Sequence, residues 1–207
     1  MKNILLIGGA GYVGSVIAED FLNKEFKVTI IDNFIYNNDH CVKHLKKYKL
    51  YNCIKGDLAN LEKSQFTLEE ETDVIILGGL VGDPITKKYP KLNKVINVEG
   101  VKKCIDFFDN KKIRKLIFIS TCSNYGLISK DVIADETFEL KPLSLYAKAK
   151  VEVEKYILEK KKIKINYEPI ILRFATAFGL SSRMRFDLTV NEFTFDLLHK
   201  KVLEVYD

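Results

Sequence analysis

Tyr146 and Lys150 stand four residues apart in the run Tyr146-Ala147-Lys148-Ala149-Lys150. On a helix that spacing puts both side chains on one face. A free tyrosine has a pKa near ~10 and is a poor base at neutral pH, but a nearby ammonium stabilises the phenolate. Each unit of depression corresponds to about 1.4 kcal/mol. The pair reads as a proton-transfer site, although the same spacing is common on solvated helices. It gains weight from Ser120-Thr121-Cys122-Ser123-Asn124-Tyr125-Gly126, which ends an apolar run. A Thr121 hydroxyl at such a strand end can bond the substrate oxygen that Tyr146 protonates or deprotonates. Cys122 could be a reactive thiol, but it reads rather as a small buried packing residue. His40, His44 and His199 lie in no motif.

A second constellation precedes these residues. Gly8, Gly11 and Gly14 follow the apolar run Asn3–Ile7 and open a helical pattern. Gly8 permits the tight turn, Gly11 lets backbone approach a pyrophosphate, and Gly14 lets the helix pack on the sheet. The helix N-terminus then offers free N–H groups and a positive dipole end. Asp32 follows 18 residues after Gly14, at the end of the next apolar run. An acid there accepts from an adenosine ribose diol and repels a 2′-phosphate, which favours NAD over NADP. Asp57 either accepts from the adenine amino group or is a solvated turn residue. Gly78-Gly79 either lets backbone run close to the dinucleotide or is a plain turn.

The elements that must hold these residues alternate. Short apolar runs at Asn3–Ile7, Val28–Ile31, Leu50–Ile54, Val74–Leu77, Leu116–Ile119 and Ile170–Phe174 predict six strands. Helices are expected over Tyr12–Lys24, Leu92–Phe108, Leu145–Lys160 and Phe186–Leu198, and Val202–Val205 reads as a further strand. Leu92, Val95, Val98, Val101, Ile105 and Phe108 form one apolar stripe. Continuously apolar strands are covered on both faces, so the alternation predicts an α/β, doubly wound parallel sheet.

Composition narrows the function classes. The 207 residues carry 33 basic and 28 acidic side chains, a net charge of +5. The lysines are dispersed among acids, so no nucleic-acid partner is expected; Lys160-Lys161-Lys162 reads as a solvated helix end. Lysine dominates, and only positions 114, 173, 183 and 185 are Arg, so each Arg is informative. Cys41, Cys53, Cys104 and Cys122 show no metal or redox spacing; no metal site is expected, and four free thiols suggest a reducing cytoplasm. Asn3 to Ala18 are uncharged and mimic a signal peptide, but the stretch is too rich in glycine. No apolar run reaches the ~18 residues of a membrane span.

The glycine loop, Asp32, Gly56-Asp57-Leu58, Thr121 and the Tyr146/Lys150 pair together resemble the extended short-chain dehydrogenase/reductases. The closer resemblance is to the NAD-dependent epimerase/dehydratase family, which acts on nucleotide sugars, and it covers essentially the whole chain. The resemblance implies a Rossmann domain holding NAD tightly, with Thr121, Tyr146 and Lys150 catalytic. It implies a cofactor set of Gly8, Gly11, Tyr12, Val13, Gly14, Asp32, Asn33, Asp57, Leu58, Leu77, Gly78, Gly79, Asn97, Tyr146, Lys150 and Thr176. Asn97 matches the family's helix-four asparagine; Thr176 stands where the family usually has Asn. Ser181-Ser182-Arg183-Met184-Arg185 and the residues through Asn191 resemble a subgroup that includes dehydrogenases of nucleotide-activated heptoses. For the substrate this implies Thr121, Ser123 and Asn191, the last against the sugar nucleotide's diphosphate. Arg183 or Arg185 could also make a bidentate contact there, or bridge to acids or water instead.

Cys122 and Ser123 replace the acidic pair of the 4,6-dehydratases, which disfavours dehydration. The expected outcome is epimerisation through oxidation at C4. The alternatives are a GDP-heptose-type 4-dehydrogenase and a catalytically silent NAD-binding regulator. Residues 1–178 are expected to form the Rossmann domain, and 179–207 the start of a substrate-binding region that is largely missing. A homodimer through two helices of each subunit is the family's expectation.

Overall fold

The computed structural model describes residues 2–64, 66–68, 71–163, 165–200 and 202–203. Six strands form one sheet: β1 (Asn3–Ile7), β2 (Lys27–Asp32), β3 (Tyr51–Lys55), β4 (Thr72–Ile76), β5 (Ile113–Thr121) and β6 (Glu168–Phe174). Their order is β3-β2-β1-β4-β5-β6, with every neighbouring pair parallel. This is the doubly wound Rossmann order, and the chain reverses direction across the sheet between β1 and β4. The register pairs Ile7 with both Ile31 and Ile76, so three strand ends line up at one edge.

The helices are α1 (Tyr12–Asn23), α2 (Asp83–Lys88), α3 (Pro90–Asn93), α4 (Val101–Phe108), α5 (Leu145–Lys162) and α6 (Thr189–His199). A π-helical turn, Lys94–Gly100, joins α3 to α4. Short 3-10 segments cover Asp39–Lys47, Leu58–Lys63 and Cys122–Tyr125. The sequence's strand and helix centres are found; α2 and the 3-10 segments carry no periodic signal and are not foreseen. Val202–Val205 runs into positions outside the described residues. Among the described residues, no helix is long and apolar enough to cross a membrane.

Two cores sit on opposite faces. Leu5, Ile7, Val74 and Ile76 pack against Val101, Ile105 and Phe108 of α4 and Val153 and Ile157 of α5. Ile4, Leu6 and Ile30 pack against Ala18 and Leu22 of α1 and Val42 and Leu45 of the Asp39–Lys47 segment. Strands β1 and β4 are buried along nearly their whole length, as continuously apolar runs should be.

Three expectations need correction. The second face is covered only in part: β5 alternates buried and half-buried residues, and Leu172 and Phe174 of β6 are exposed. The helical stripe also breaks. Val98, Val101, Ile105 and Phe108 are buried, but Leu92 and Val95 are 40% and 52% exposed. The π turn contains Val95 and Val98, where exposure gives way to burial, and its wider turn spoils the 3.6-residue register that one stripe assumes. The Lys160-Lys161-Lys162 run splits as well, since Lys160 turns in to Asp106 and Asp109 while its two neighbours are exposed.

Candidate active site

The carboxyl ends of β1 and β4 meet at the sheet's switch point, the place where such sheets take ligands in the crevice between neighbouring loops. Gly8 has φ +79°, and a Cβ there would lie 2.3 Å from the Gly78 Cα. The two strand ends approach so closely that only glycine fits at position 8. Leu77 and Gly78 both donate backbone N–H bonds to the Ile7 carbonyl, at 2.9 Å each. At Gly79 a Cβ would lie 2.6 Å from Asn97 Oδ1. The glycine pair is therefore more than a plain turn.

Asn97 is buried, and it clamps this crossing. Its Oδ1 accepts from Leu80 N at 2.7 Å, and its Nδ2 donates to Leu80 O at 2.8 Å and to Asn93 Oδ1 at 2.7 Å. Asn93 in turn donates to the carbonyl of Leu145, beside Tyr146. The side chain expected at the cofactor thus spends its polar atoms on the loop that borders the cleft.

Helix α1 starts at the cleft with no side-chain cap, and Gly11 is its N-cap. A Cβ on Gly11 would meet nothing closer than the Gly8 carbonyl at 3.5 Å. The first turn, which holds Tyr12, Val13 and Gly14, has no side-chain cap on its N–H groups, and such a helix start suits an anion. Asp32 is buried at the end of β2. Its Oδ2 accepts from Ala10 N at 3.0 Å and its Oδ1 from Phe34 N at 2.8 Å. Burial raises its pKa, against the lowering effect of those two bonds and of Arg183.

Asn38, absent from the expected set, is buried beside the same loop. Its Nδ2 donates to the Ala10 carbonyl at 2.7 Å, while its Oδ1 has no partner among the described residues. An orphaned buried acceptor, a glycine-only crossing and an uncapped helix start fit an adenine dinucleotide. Asn33 and Asp57 are exposed, and each accepts from backbone two residues on, at Ile35 and Ala59. Leu58 is half-buried and packs against the core under Gly78.

The segment after β6 crosses over the start of α1. Tyr12 Oη donates to the Gly179 carbonyl at 2.7 Å, and Ser181 Oγ donates to the Tyr12 carbonyl at 2.8 Å. Asn191, on α6, accepts from Gly179 N at 2.9 Å and donates to Tyr12 Oη and to the Arg185 carbonyl. Asn191 is thus buried and its bonds run to protein. Thr176 is exposed in the connection. The two arginines diverge. The Arg183 guanidinium lies 4.5 Å from the Tyr36 ring centroid, at the Asp32 end. Arg185 pairs with Asp187 through Nε and Nη2 and lies near Gly82 and Tyr146.

Tyr146 and Lys150 sit on one face of α5, capped by Ser144 Oγ. Lys150 is 5% exposed; its Nζ donates to the Ile119 carbonyl of β5 at 2.7 Å and lies 5.6 Å from the Tyr146 ring centroid. Thr121 ends β5 two residues past Ile119, and its Oγ1 accepts from Ser123 N at 3.2 Å. Ser123 is exposed, and so is Cys122, which corrects its reading as a buried packing residue: it follows the strand end in the turn that Thr121 caps. The electrostatics differ from the sequence expectation. Burial raises Tyr146 to about 12, and the cation opposing this is Arg185 rather than Lys150. Burial also pulls Lys150 down to about 8. Desolvation of the buried phenol outweighs a lysine that lies against its ring.

Beneath these residues, buried Glu154, Ser120 and Asn124 form a bonded set with part-buried Arg173. The scarcity of Arg singled out position 173, but nothing in the sequence connects it to Glu154.

Residues 4–203 match the model of the NAD dependent epimerase/dehydratase family. An uncharacterized protein of Methanocaldococcus jannaschii is 28% identical, the match covering 100% of this chain and 65% of that protein. A UDP-glucose 4-epimerase of Streptococcus mutans is 26% identical, with 73% of this chain and 45% of that protein covered. A solved structure of UDP-glucuronic acid 4-epimerase from Bacillus cereus, in complex with UDP-glucuronic acid and NAD, superposes with a TM-score of 0.80 at 25% identity. That match covers 96% of this chain and 63% of the other. The chain spans 42% to 65% of the length of the curated relatives it matches. It belongs to the NAD-dependent epimerase/dehydratase family, whose cofactor is NAD.

Proposed function

We propose that this member of the NAD-dependent epimerase/dehydratase family acts on a nucleotide sugar as a 4-epimerase. The observation that carries the reading is the bond from Lys150 Nζ to Ile119 O at 2.7 Å. It fastens the helix bearing Tyr146 to the strand that ends in Thr121, at the carboxyl edge where such sheets take ligands. When bound, NAD supplies a carbon that accepts a hydride and gives it back.

The chain's own residues supply the proton chemistry and the geometry. Thr121 Oγ1 accepts from Ser123 N, so its hydrogen is left to donate to a sugar oxygen. Tyr146 takes the proton of that hydroxyl and later returns it. Arg185 is the cation that favours the Tyr146 phenolate over the neutral phenol, while Lys150 lies against the ring and anchors the helix. Asp32 receives the adenosine ribose, and the uncapped start of α1 receives the pyrophosphate. Arg185 is assigned to the sugar nucleotide's diphosphate. Its present partner, Asp187, is 67% exposed, and an ion pair at such a rim is worth little, so the exchange costs little. Neither Cys122 nor Ser123 offers the carboxyl that dehydration needs at those positions. The homodimer belongs to this reading, with Val95 and Leu158 exposed on the two helices where a partner would sit.

The test is incubation of the chain with NAD and a panel of UDP-, GDP-, dTDP- and CDP-sugars, followed by NMR and mass spectrometry of the products. A C4 isomer of unchanged mass is expected. A product two hydrogens lighter would replace the epimerase by a 4-dehydrogenase. NAD binding without conversion of any sugar would overturn the catalytic reading in favour of a regulator.

A further inference from the structure

The buried charges under the proton-transfer site are unevenly distributed. Glu154 is 1% exposed and lies on α5 one turn after Lys150 and two after Tyr146. Its Oε1 accepts from Ser120 Oγ and from Asn124 Nδ2, the latter at 2.7 Å. Its Oε2 accepts from Arg173 Nη2 at 2.7 Å and from Arg173 Nε at 3.1 Å. Arg173 is braced in turn, donating from Nη1 to Tyr125 Oη at 3.0 Å. One carboxylate therefore gathers β5, the Cys122–Tyr125 turn, β6 and α5. Ser120 is the residue before Thr121, and Asn124 and Tyr125 lie in the turn that Thr121 caps.

We propose that Glu154 is a positioning residue of the proton-transfer site: it fixes the strand end carrying Thr121 to the helix carrying Tyr146 and Lys150, and it is the anion that balances the Lys150 ammonium. The second half of this statement rests on counting charges. Lys150, which is buried, and Arg173, which is part-buried, bring two cations to this layer, and Glu154 brings one buried anion. Lys150 meets the Tyr146 ring on its own helix and the Ile119 carbonyl and Phe118 ring on β5; Glu154 follows one turn later on the same helix and carries Arg173 of β6, which is braced by Tyr125. Glu154 is the only carboxylate in that shell among the described residues. Its charge opposes the burial that lowers Lys150. Arg173 is held above its ordinary value first by its bonds to Glu154.

The role as positioning residue rests on the proposed proton transfer; the charge balance does not, and the test separates them. The first readout is a pH titration of the Lys150 13Cε resonance in lysine-labelled protein, which needs neither cofactor nor sugar. In Glu154→Gln the Lys150 midpoint should fall by at least one pH unit, a tenfold or larger change in its dissociation constant. Breaking one half of a buried pair is costly, so Glu154→Gln is accompanied by the double variant Glu154→Gln/Arg173→Gln, which leaves no unpaired ion there. The midpoint should fall in the double variant too, and should not fall in Arg173→Gln alone. Glu154→Asp, which keeps the charge, should restore most of the shift. An unchanged midpoint in either folded Glu154→Gln protein overturns the proposal. The second readout is sugar turnover. Glu154→Gln should lower kcat at least tenfold with KM within about threefold, and should move the alkaline limb of the pH profile to lower pH. A moved midpoint with no sugar converted by the unaltered chain would leave the charge balance standing and remove the epimerase reading.

Discussion

Arg183 and Arg185 are separated by one residue and differ in their contacts, although both lie within electrostatic reach of Tyr36 and Asp187. Arg183 stacks on Tyr36 within reach of the Asp32 charge, whereas Arg185 lies by Gly82 with its charge felt at Tyr146. Extended backbone alternates side chains by two residues, so spacing alone would have put both on one side. Here the Ser181 and Asn191 bonds fix the path of the segment, and the two guanidinium groups take different first partners, the Tyr36 ring and the Asp187 carboxylate.

Arg183→Gln is therefore expected to weaken NAD binding about tenfold and to leave the KM for sugar nearly unchanged. Arg185→Gln should do the reverse, with an effect of about 10- to 100-fold on kcat/KM, the worth of a charge-assisted phosphate contact. Isothermal titration with NAD and steady-state kinetics read the two separately. Equal effects of both variants on both quantities would refute the division.

Tyr146→Phe should retain NAD affinity and lose about 10²- to 10⁴-fold in kcat, the usual range for a general acid–base group. Unchanged turnover would remove Tyr146 from the mechanism.

The glycines make a paired prediction. A Cβ on Gly11 meets only a carbonyl at 3.5 Å, so Gly11→Ala should fold with an unaltered Tm and still bind NAD at least about tenfold less tightly, because the methyl occupies the pyrophosphate's approach. Gly79→Ala places a Cβ at 2.6 Å from Asn97 Oδ1 and should displace that side chain from Leu80. Thermal melts are the control, with a lower Tm for Gly79→Ala alone.

Asp32→Ala is expected to lower the preference for NAD over NADP, since the buried charge that repels a 2′-phosphate is gone. It also frees Ala10 N and Phe34 N, so absolute affinity for NAD should fall as well. Titration with both cofactors checks the ratio; a constant ratio would refute the role of Asp32 in selection.

Lys150 titrates near 8 in the folded chain against an ordinary 10.5. Between these values the unfolded chain binds more protons than the folded one, so this group makes stability rise with pH across that window. At neutral pH its buried ammonium opposes folding by on the order of 3 kcal/mol, part of which the Ile119 bond offsets. Lys150→Met should raise stability at pH 7 by about 1–3 kcal/mol while abolishing turnover, and the gain should shrink from pH 8 to 10.5. Urea denaturation at pH 7 and pH 10 measures it; a loss of stability at pH 7 would contradict the sign.

Local spacing determined much of this molecule. The continuously apolar runs of β1 and β4 dictated buried parallel strands, and the three glycines dictated a tight strand-to-helix turn. The four-residue step from Tyr146 to Lys150 dictated a shared helix face. Each of these follows from backbone geometry over a few residues, which side-chain type and period report directly. The bonds between distant residues were not legible in that way. Tyr12 meets Gly179 across 167 positions, Arg173 meets Glu154 across two elements, and Asn38 turns back to Ala10 from an irregular loop. The exposure of Leu92 and Val95 likewise depends on a π turn that no apolar period announces. Even the charge on Tyr146 was decided by burial and by Arg185 rather than by the lysine on its own helix. Desolvation and long-range pairing depend on what the packed chain brings together, so tertiary structure alone set them.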